Sequence, residues 1–142
     1  MTNGKEQITD ITQITDITRI AAVIGCGVIG GGWAARFLLN GWKVHIFDSD
    51  SDAARKIMDV LENARASLPL LADKALPEEG KLVFCDTLEQ AASGAHWIQE
   101  SVPERLLVKK KVFTALQKVA DHNAYYCFHL HSGFTSNPIA RR

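Results

Sequence analysis

Apolar positions along this chain follow two rhythms, and the rhythms alternate. Ile20-Ala21-Ala22-Val23-Ile24 is a short unbroken apolar run, the form of a strand buried on both faces. A helical spacing follows from about Val28 to Asn40 and stops at Gly41; Lys43 to Phe47 is a second short strand. From Asp52 to about Leu68, Ile57, Val60, Leu61 and Ala64 fall on one helical stripe, and Pro69 and Pro77 bracket a loop or a short helical piece. Lys81 to Cys85 reads as a strand. Thr87 to Ala92 reads as a short helix capped by Asp86 or Thr87 and broken by Gly94. His96 to Gln99 is the next strand, and Glu100-Ser101-Val102-Pro103 a turn. Pro103 suits a first helical turn, so Glu104 to about Ala120 is expected as a helix. Asp121-His122-Asn123 turns the chain into a last strand, Ala124 to His131. Strands alternating with helices predict a parallel, doubly wound α/β sheet, in which ligands bind at the carboxyl ends of the strands. Gly25, Asp48 and Glu100 all fall at such ends.

The first strand runs straight into Gly25-Cys26-Gly27-Val28-Ile29-Gly30, a G-x-G-x-x-G that opens a helix. Gly25 allows the tight turn out of the strand. Gly27, without a Cβ, lets a pyrophosphate approach the backbone, and Gly30 lets the helix pack closely on the strands. The unpaired N–H groups of the helix N-terminus then face the phosphates. Asp48 ends the second strand, 18 positions after Gly30, near the spacing of a carboxylate that accepts from the adenosine ribose hydroxyls. The expected cofactor is therefore a dinucleotide, on a Rossmann-type fold. The run Asp48-Ser49-Asp50-Ser51-Asp52 is acidic and the first basic residue after it is Arg55, which favours NAD over its 2′-phosphorylated form. Asp50 and Asp52 also suit capping of the next helix.

Length and charge narrow the remaining possibilities. The 142 residues are one domain by length, 46% of them are apolar, and the formal net charge is zero, so nothing electrostatic points to nucleic acid or a membrane surface. No apolar run is long enough to span a bilayer, and no signal peptide opens the chain. Cys26, Cys85 and Cys127 are odd in number and irregular in spacing, as in reduced thiols of a cytoplasmic protein. Cys26 reads as a small space-filling side chain; the alternative, because it sits near a helix N-terminus where a thiol pKa can fall, is a redox role. Residues 1–18, with Arg19, hold a hexapeptide, Ile8-Thr9-Asp10-Ile11-Thr12-Gln13, that recurs as Ile14-Thr15-Asp16-Ile17-Thr18-Arg19. A mobile extension is expected there, with strand addition as the alternative.

Two stretches carry a family resemblance: Gly30-Gly31-Gly32-Trp33-Ala34-Ala35-Arg36 and Ile98-Gln99-Glu100-Ser101-Val102-Pro103-Glu104-Arg105-Leu106. Over about Arg19 to Ala124 the sequence resembles the 3-hydroxyacyl-CoA dehydrogenase superfamily, most closely its L-carnitine 3-dehydrogenase branch, with lambda-crystallin-type dehydrogenases nearby. The resemblance implies oxidation of a secondary alcohol at carbon 3 of a small, carnitine-like hydroxy acid by hydride transfer to NAD. The alternatives are a short-chain 3-hydroxyacyl-CoA dehydrogenase fragment of fatty acid metabolism and a non-catalytic nucleotide-binding module. It also implies that Glu104 and Lys109 stand near the cofactor; without it, both read as ordinary charges in the first turns of a helix.

After Ala124 the sequence departs from the family, whose small hydroxyl residues give way to Cys127-Phe128-His129-Leu130-His131 before Ser132-Gly133-Phe134 restores the match. A pair of compensating frame shifts in the gene would produce such a stretch. Cys127, His129 and His131 alternate along a strand, so they share one face and, with His122, would offer zinc a ligand set; no common zinc module has this spacing, and no metal is assigned. The family's catalytic histidine lies beyond the Ser-Gly-Phe stretch, so no residue is assigned a catalytic role. The expected organisation is an NAD-binding Rossmann domain over 19–134 with a disordered tail over 135–142. The sheet is expected to be cut short, and the catalytic domain through which the family forms homodimers to be absent. A small hydroxy acid is expected to bind only if that domain is supplied.

Overall fold

The computed structural model describes residues 18–128 and the strand pairing of 135–136. Along the chain these form β1 (Ile20–Ile24), α1 (Val28–Leu39), β2 (Lys43–Phe47), α2 (Ala53–Leu71), β3 (Leu82–Phe84), α3 (Leu88–Ala92), β4 (Trp97–Glu100), α4 (Leu106–Val119), β5 (Tyr125–Phe128) and β6 (Thr135–Ser136). The strands lie in the order β3-β2-β1-β4-β5-β6; the first five are parallel and β6 is antiparallel to β5. This is the doubly wound Rossmann-type order. β1 pairs with both β2 and β4, so the strand order reverses beside it, and there a crevice opens at the carboxyl ends.

Strand alternation sends each residue to one of two cores. Val23, Val44 and Ile46 pack under α1 and α2 with Ala34, Leu38, Ile57 and Leu61. Ala22, Ile24 and Ile98 face the opposite side with Ala91, Ala92, Leu116 and Tyr126 of the later elements. Ile24, Leu38, Ile46, Ile57, Ile98 and Leu116 are completely or almost completely enclosed, and each such side chain contributes about 1.5–3 kcal/mol by leaving water. With one core on each side, the sheet is held from both faces and its central edge is fixed in place. Trp33, one of the family-like residues, lies over the sheet from α1 and stacks on Trp97, which stacks in turn on Tyr125.

Several boundaries differ from expectation. α2 continues through Pro69 to Leu71, although a proline removes a helical donor. Its last turn is exposed, so water can serve the carbonyl left without a partner. α4 starts at Leu106, so Pro103 and Glu104 belong to the preceding turn and not to the helix. Thr87 caps α3 by accepting from the Gln90 N–H at 3.1 Å, while the Gln90 side chain accepts from the Asp86 N–H. Asp52 stands at the N-cap position of α2 but makes no side-chain cap: its carboxylate is taken by Arg55, and Asp50 accepts its N–H at 2.9 Å. Within the stretch expected as a tail, Thr135 pairs with Phe128 and Ser136 with Cys127. The hexapeptide repeat, His129, His131 and the Ser132-Gly133-Phe134 stretch lie outside the described residues. Among the described residues no three His, Cys, Asp or Glu side chains cluster as a metal site. Nor is any helix among them long and apolar enough to cross a membrane.

Candidate functional site

The turn after β1 is shaped by contact with the turn after β4. Gly25 has φ +89°, a conformation that favours glycine, and a Cβ there would stand 2.9 Å from the backbone of Ser101 and Val102. Ser101 N–H donates to the Ile24 carbonyl at 2.8 Å, which draws the two turns together. Gly30 has a role the sequence did not show. Its missing side chain makes room for the Gly25 carbonyl, so it closes the turn on itself before it serves helix–strand packing. A Cβ on Gly27 would meet nothing within 4 Å, and Gly27 caps α1 without a side chain. The N–H groups of the first helical turn have no acceptor within the helix, and no acidic residue stands in that turn. The helix therefore presents donors and the positive end of its dipole to open space, a natural seat for a phosphate. Val28 is 91% exposed and Ile29 is exposed as well, so they take part through their backbone.

Asp48 lies across the crevice entrance. Its Oδ2 accepts from the Cys26 N–H at 2.6 Å and its Oδ1 from the Asp50 N–H at 2.8 Å. Both partners are backbone donors, and an ionised carboxylate has further lone pairs for hydroxyl donors. Cys26 packs inward, 4% exposed, and burial together with the Asp48 charge pushes its thiol up to about 12. This agrees with the space-filling reading of Cys26 and goes against the redox alternative: the helix terminus is outweighed by burial and by the neighbouring carboxylate. Cys85 and Cys127 are likewise pushed up by burial.

A cleft of about 610 Å³ opens over these elements, lined by Gly25, Gly27, Asp48, Ser101 and Val102 and closed from α4 by Lys111. Lys56 also lines it, a cation the sequence reading missed; its ammonium is bound to Asp50 at 2.6 Å. Arg55 pairs with Asp52 and Asp59. The basic side chains nearest the acidic run are thus engaged by it.

Glu104 and Lys109 are placed differently from the glycine turn. Glu104 is exposed in the turn ahead of α4. Lys109 meets Glu100, with Nζ 3.2 Å from Oε2 and 3.3 Å from Oε1, and Glu100 also accepts from the Val102 N–H at 2.8 Å. That pair lines a smaller cleft of about 270 Å³ with Phe113, Tyr126 and Phe128. Burial, with Glu100 nearby, pushes the Tyr126 hydroxyl upward. The structure therefore brings Gly25, Cys26, Gly27 and Asp48 together at one cleft, with Gly30 packed behind the turn, while Lys109 lines the smaller cleft and Glu104 lies in the turn ahead of α4. Two further groups belong to this region, one of them unread in the sequence. Glu100 was legible as an acid at a strand end. Ser101 gave no signal, because only the approach of two turns makes it part of a wall.

The residues fit a dinucleotide. The glycine cradle leaves open space where a phosphate would approach, and the Ser101 hydroxyl, buried at the wall, has no partner among the described residues. Residues 20–127 match the family described as 3-hydroxyacyl-CoA dehydrogenase, NAD binding domain. The L-carnitine dehydrogenase/betainyl-CoA thioesterase of Ruegeria pomeroyi is 62% identical over 104 residues, which are 73% of this chain and 21% of that protein. The L-carnitine dehydrogenase of Mesorhizobium japonicum is 49% identical over 104 residues, 73% of this chain and 29% of that protein. Among solved structures, an NAD+-dependent 5-formyl-3-hydroxy-2-methylpyridine 4-carboxylic acid 5-dehydrogenase superposes with TM-score 0.69 at 29% identity, over 80% of this chain and 37% of its own. The dehydrogenase part of a multifunctional enzyme from C. elegans shares the fold, with TM-score 0.60 at 23% identity, over 82% of this chain and 27% of its own. The chain spans 21% and 29% of the length of the two curated relatives.

Proposed function

The chain belongs to the 3-hydroxyacyl-CoA dehydrogenase family through its NAD-binding domain, and from that premise we propose that it holds NAD for oxidation of the 3-hydroxyl of a small, carnitine-like acid. The observation that carries the reading is the joining of Asp48 to the glycine turn. The carboxylate fixes the turn through the Cys26 N–H and stands at the rim of the same cleft that the turn lines. When bound, NAD supplies the hydride acceptor. The Gly25 to Gly30 turn, with the N–H groups at Val28 and Ile29, receives the pyrophosphate. Asp48 accepts from the adenosine ribose hydroxyls, and a 2′-phosphate in their place would meet Asp48 and Asp50 with Lys56 already taken. Glu104 and Lys109 stand toward the nicotinamide end, with Lys109 anchored by Glu100.

The substrate class rests on the two relatives named for L-carnitine dehydrogenase. Withdrawal of hydride from a secondary alcohol needs a base for the hydroxyl proton, and no histidine lines the described cleft. We assign that base to none of the described residues and place the reaction in the homodimeric assembly typical of the resemblance. The three thiols are free, which suits a reducing, cytoplasmic setting. Titration of the chain with NADH and NADPH, followed by nucleotide fluorescence, tests the cofactor assignment. NADH is expected to bind more tightly, and equal affinities would overturn the role given to Asp48.

A further inference from the structure

Ser101 stands where β4 passes into the turn that faces the glycines. Its N–H holds the end of β1, and its carbonyl occupies the space that a side chain on Gly25 would need. Its Cβ lies 3.4 Å from where a Cβ on Gly30 would stand. The serine is therefore wedged between the first and third glycines of the turn, on the wall of the 610 Å³ cleft. Its Oγ is buried and, among the described residues, is the one buried side-chain polar atom without a hydrogen-bond partner. A hydroxyl in that condition costs folding free energy, because its bonds to water are given up and nothing replaces them. An alanine would occupy the same space without the cost.

We propose that Ser101 is a positioning residue for the dinucleotide, its hydroxyl donating to a pyrophosphate oxygen on the β4 side of the glycine turn. The assignment rests on the reading of the cleft as the NAD site. Its direction follows from the strand order. Asp48 lies on the β2 side of β1 and takes the adenosine end, the glycine turn lies over β1, and Ser101 lies on the β4 side. A dinucleotide laid across the crevice passes Asp48 first and Ser101 after its first phosphate. The unpaired hydroxyl is a cost in the free protein that ligand binding removes: rotation about χ1 turns the Oγ toward the cleft, where the ligand supplies the acceptor that its enclosed position lacks.

Two readouts of opposite sign test this on Ser101→Ala. The thermal midpoint of the free chain is expected to rise by about 2–4 °C, because an unpaired polar atom is deleted. Affinity for NADH and for ADP-ribose is expected to fall by about tenfold, and affinity for AMP, measured by calorimetry, to stay unchanged. A lower midpoint would show that the hydroxyl serves the fold and would overturn the assignment. So would NADH affinity that the variant leaves intact, or an equal loss for AMP and NADH. If the unmodified chain binds no NADH, the reading of the cleft fails and the assignment fails with it; if it binds NADH and Ser101→Ala binds it equally well, only the assignment fails.

Discussion

Asp48 and Glu100 stand at the carboxyl ends of the two strands that flank β1, one on each side of the glycine turn. Asp48 is half-buried, and both its partners are backbone N–H groups of the turn region. Glu100 has a side chain only 4% exposed; it accepts one backbone N–H and is paired with the Lys109 ammonium. The same kind of acid at the same kind of position has two outcomes. A carboxylate satisfied by backbone donors keeps its charge and its spare lone pairs at the cleft. A carboxylate enclosed with a lysine spends its charge on holding α4 to β4. Position at a strand end nominates an acid for ligand binding, and the counter-charge brought by the fold decides whether it serves.

The largest effect is expected from Gly30→Ala, which strikes the turn that separates the two acids. The new Cβ meets the Gly25 carbonyl, a backbone atom that moves only if the turn opens. A loss of at least about 4 kcal/mol in urea unfolding is expected, with loss of NADH binding. Gly27→Ala is the contrast. Its Cβ enters open space, so stability should stay within about 1 kcal/mol of the parent while NADH affinity falls. Comparable unfolding losses in both variants would show that the turn is held by something other than these close approaches.

Lys109→Met isolates the Glu100 half of the comparison. It leaves an enclosed carboxylate without its lysine, and a loss of about 3 kcal/mol is expected by chemical denaturation. Asp48→Ala isolates the other half. Loss of a charge-assisted acceptor should weaken NADH by about 1–3 kcal/mol and narrow the gap to NADPH, as read by fluorescence titration. If Lys109→Met changed nucleotide preference and Asp48→Ala did not, the two acids would have to exchange roles.

The effect that is smallest near neutral pH concerns Cys26, held against Asp48. Its folded pKa lies near 12 and its ordinary value near 9, so the protonated thiol is favoured by folding. Its contribution is fully present below about pH 9 and is lost as pH rises from 9 toward 12. Urea unfolding across that range should show a falling alkaline limb, made shallower by Cys26→Ala. Cys85, Cys127 and Tyr126 are shifted upward too, so part of the limb should remain. An alkaline limb unchanged in Cys26→Ala would show that the thiol is not shielded as described.

Much of this molecule is written in local pattern. A continuous apolar run at Ile20–Ile24 and an alternating stretch at Lys43–Phe47, with Val44 and Ile46 inward, read as short strands beside helices, and the glycine spacing after the first marks the turn. Parallel strands joined by helices then force the doubly wound order, because right-handed crossovers leave few alternatives. Element ends were less legible. Pro69 remains within α2 because that end of the helix is exposed, and Pro103 precedes α4 because the Glu100 side chain holds the turn through the Val102 N–H. Neither condition is visible in a window of neighbouring residues.

The sequence by itself determined the strands, the turn, the acid at the end of β2 and the family to which they belong, since each depends on residue type and short spacing. The tertiary structure alone decided that Gly30 makes room for Gly25, that Cys26 is a silenced thiol, that Lys109 belongs to Glu100, and that Ser101 forms a wall of the cleft. The first and third depend on how the turn after β1 and the start of α4 fold back on themselves, and the placements of Cys26 and Ser101 depend on how closely the segments after β1, β2 and β4 approach at one sheet edge. Burial and pairing are properties of that approach, and segments separated by dozens of residues carry no local record of it.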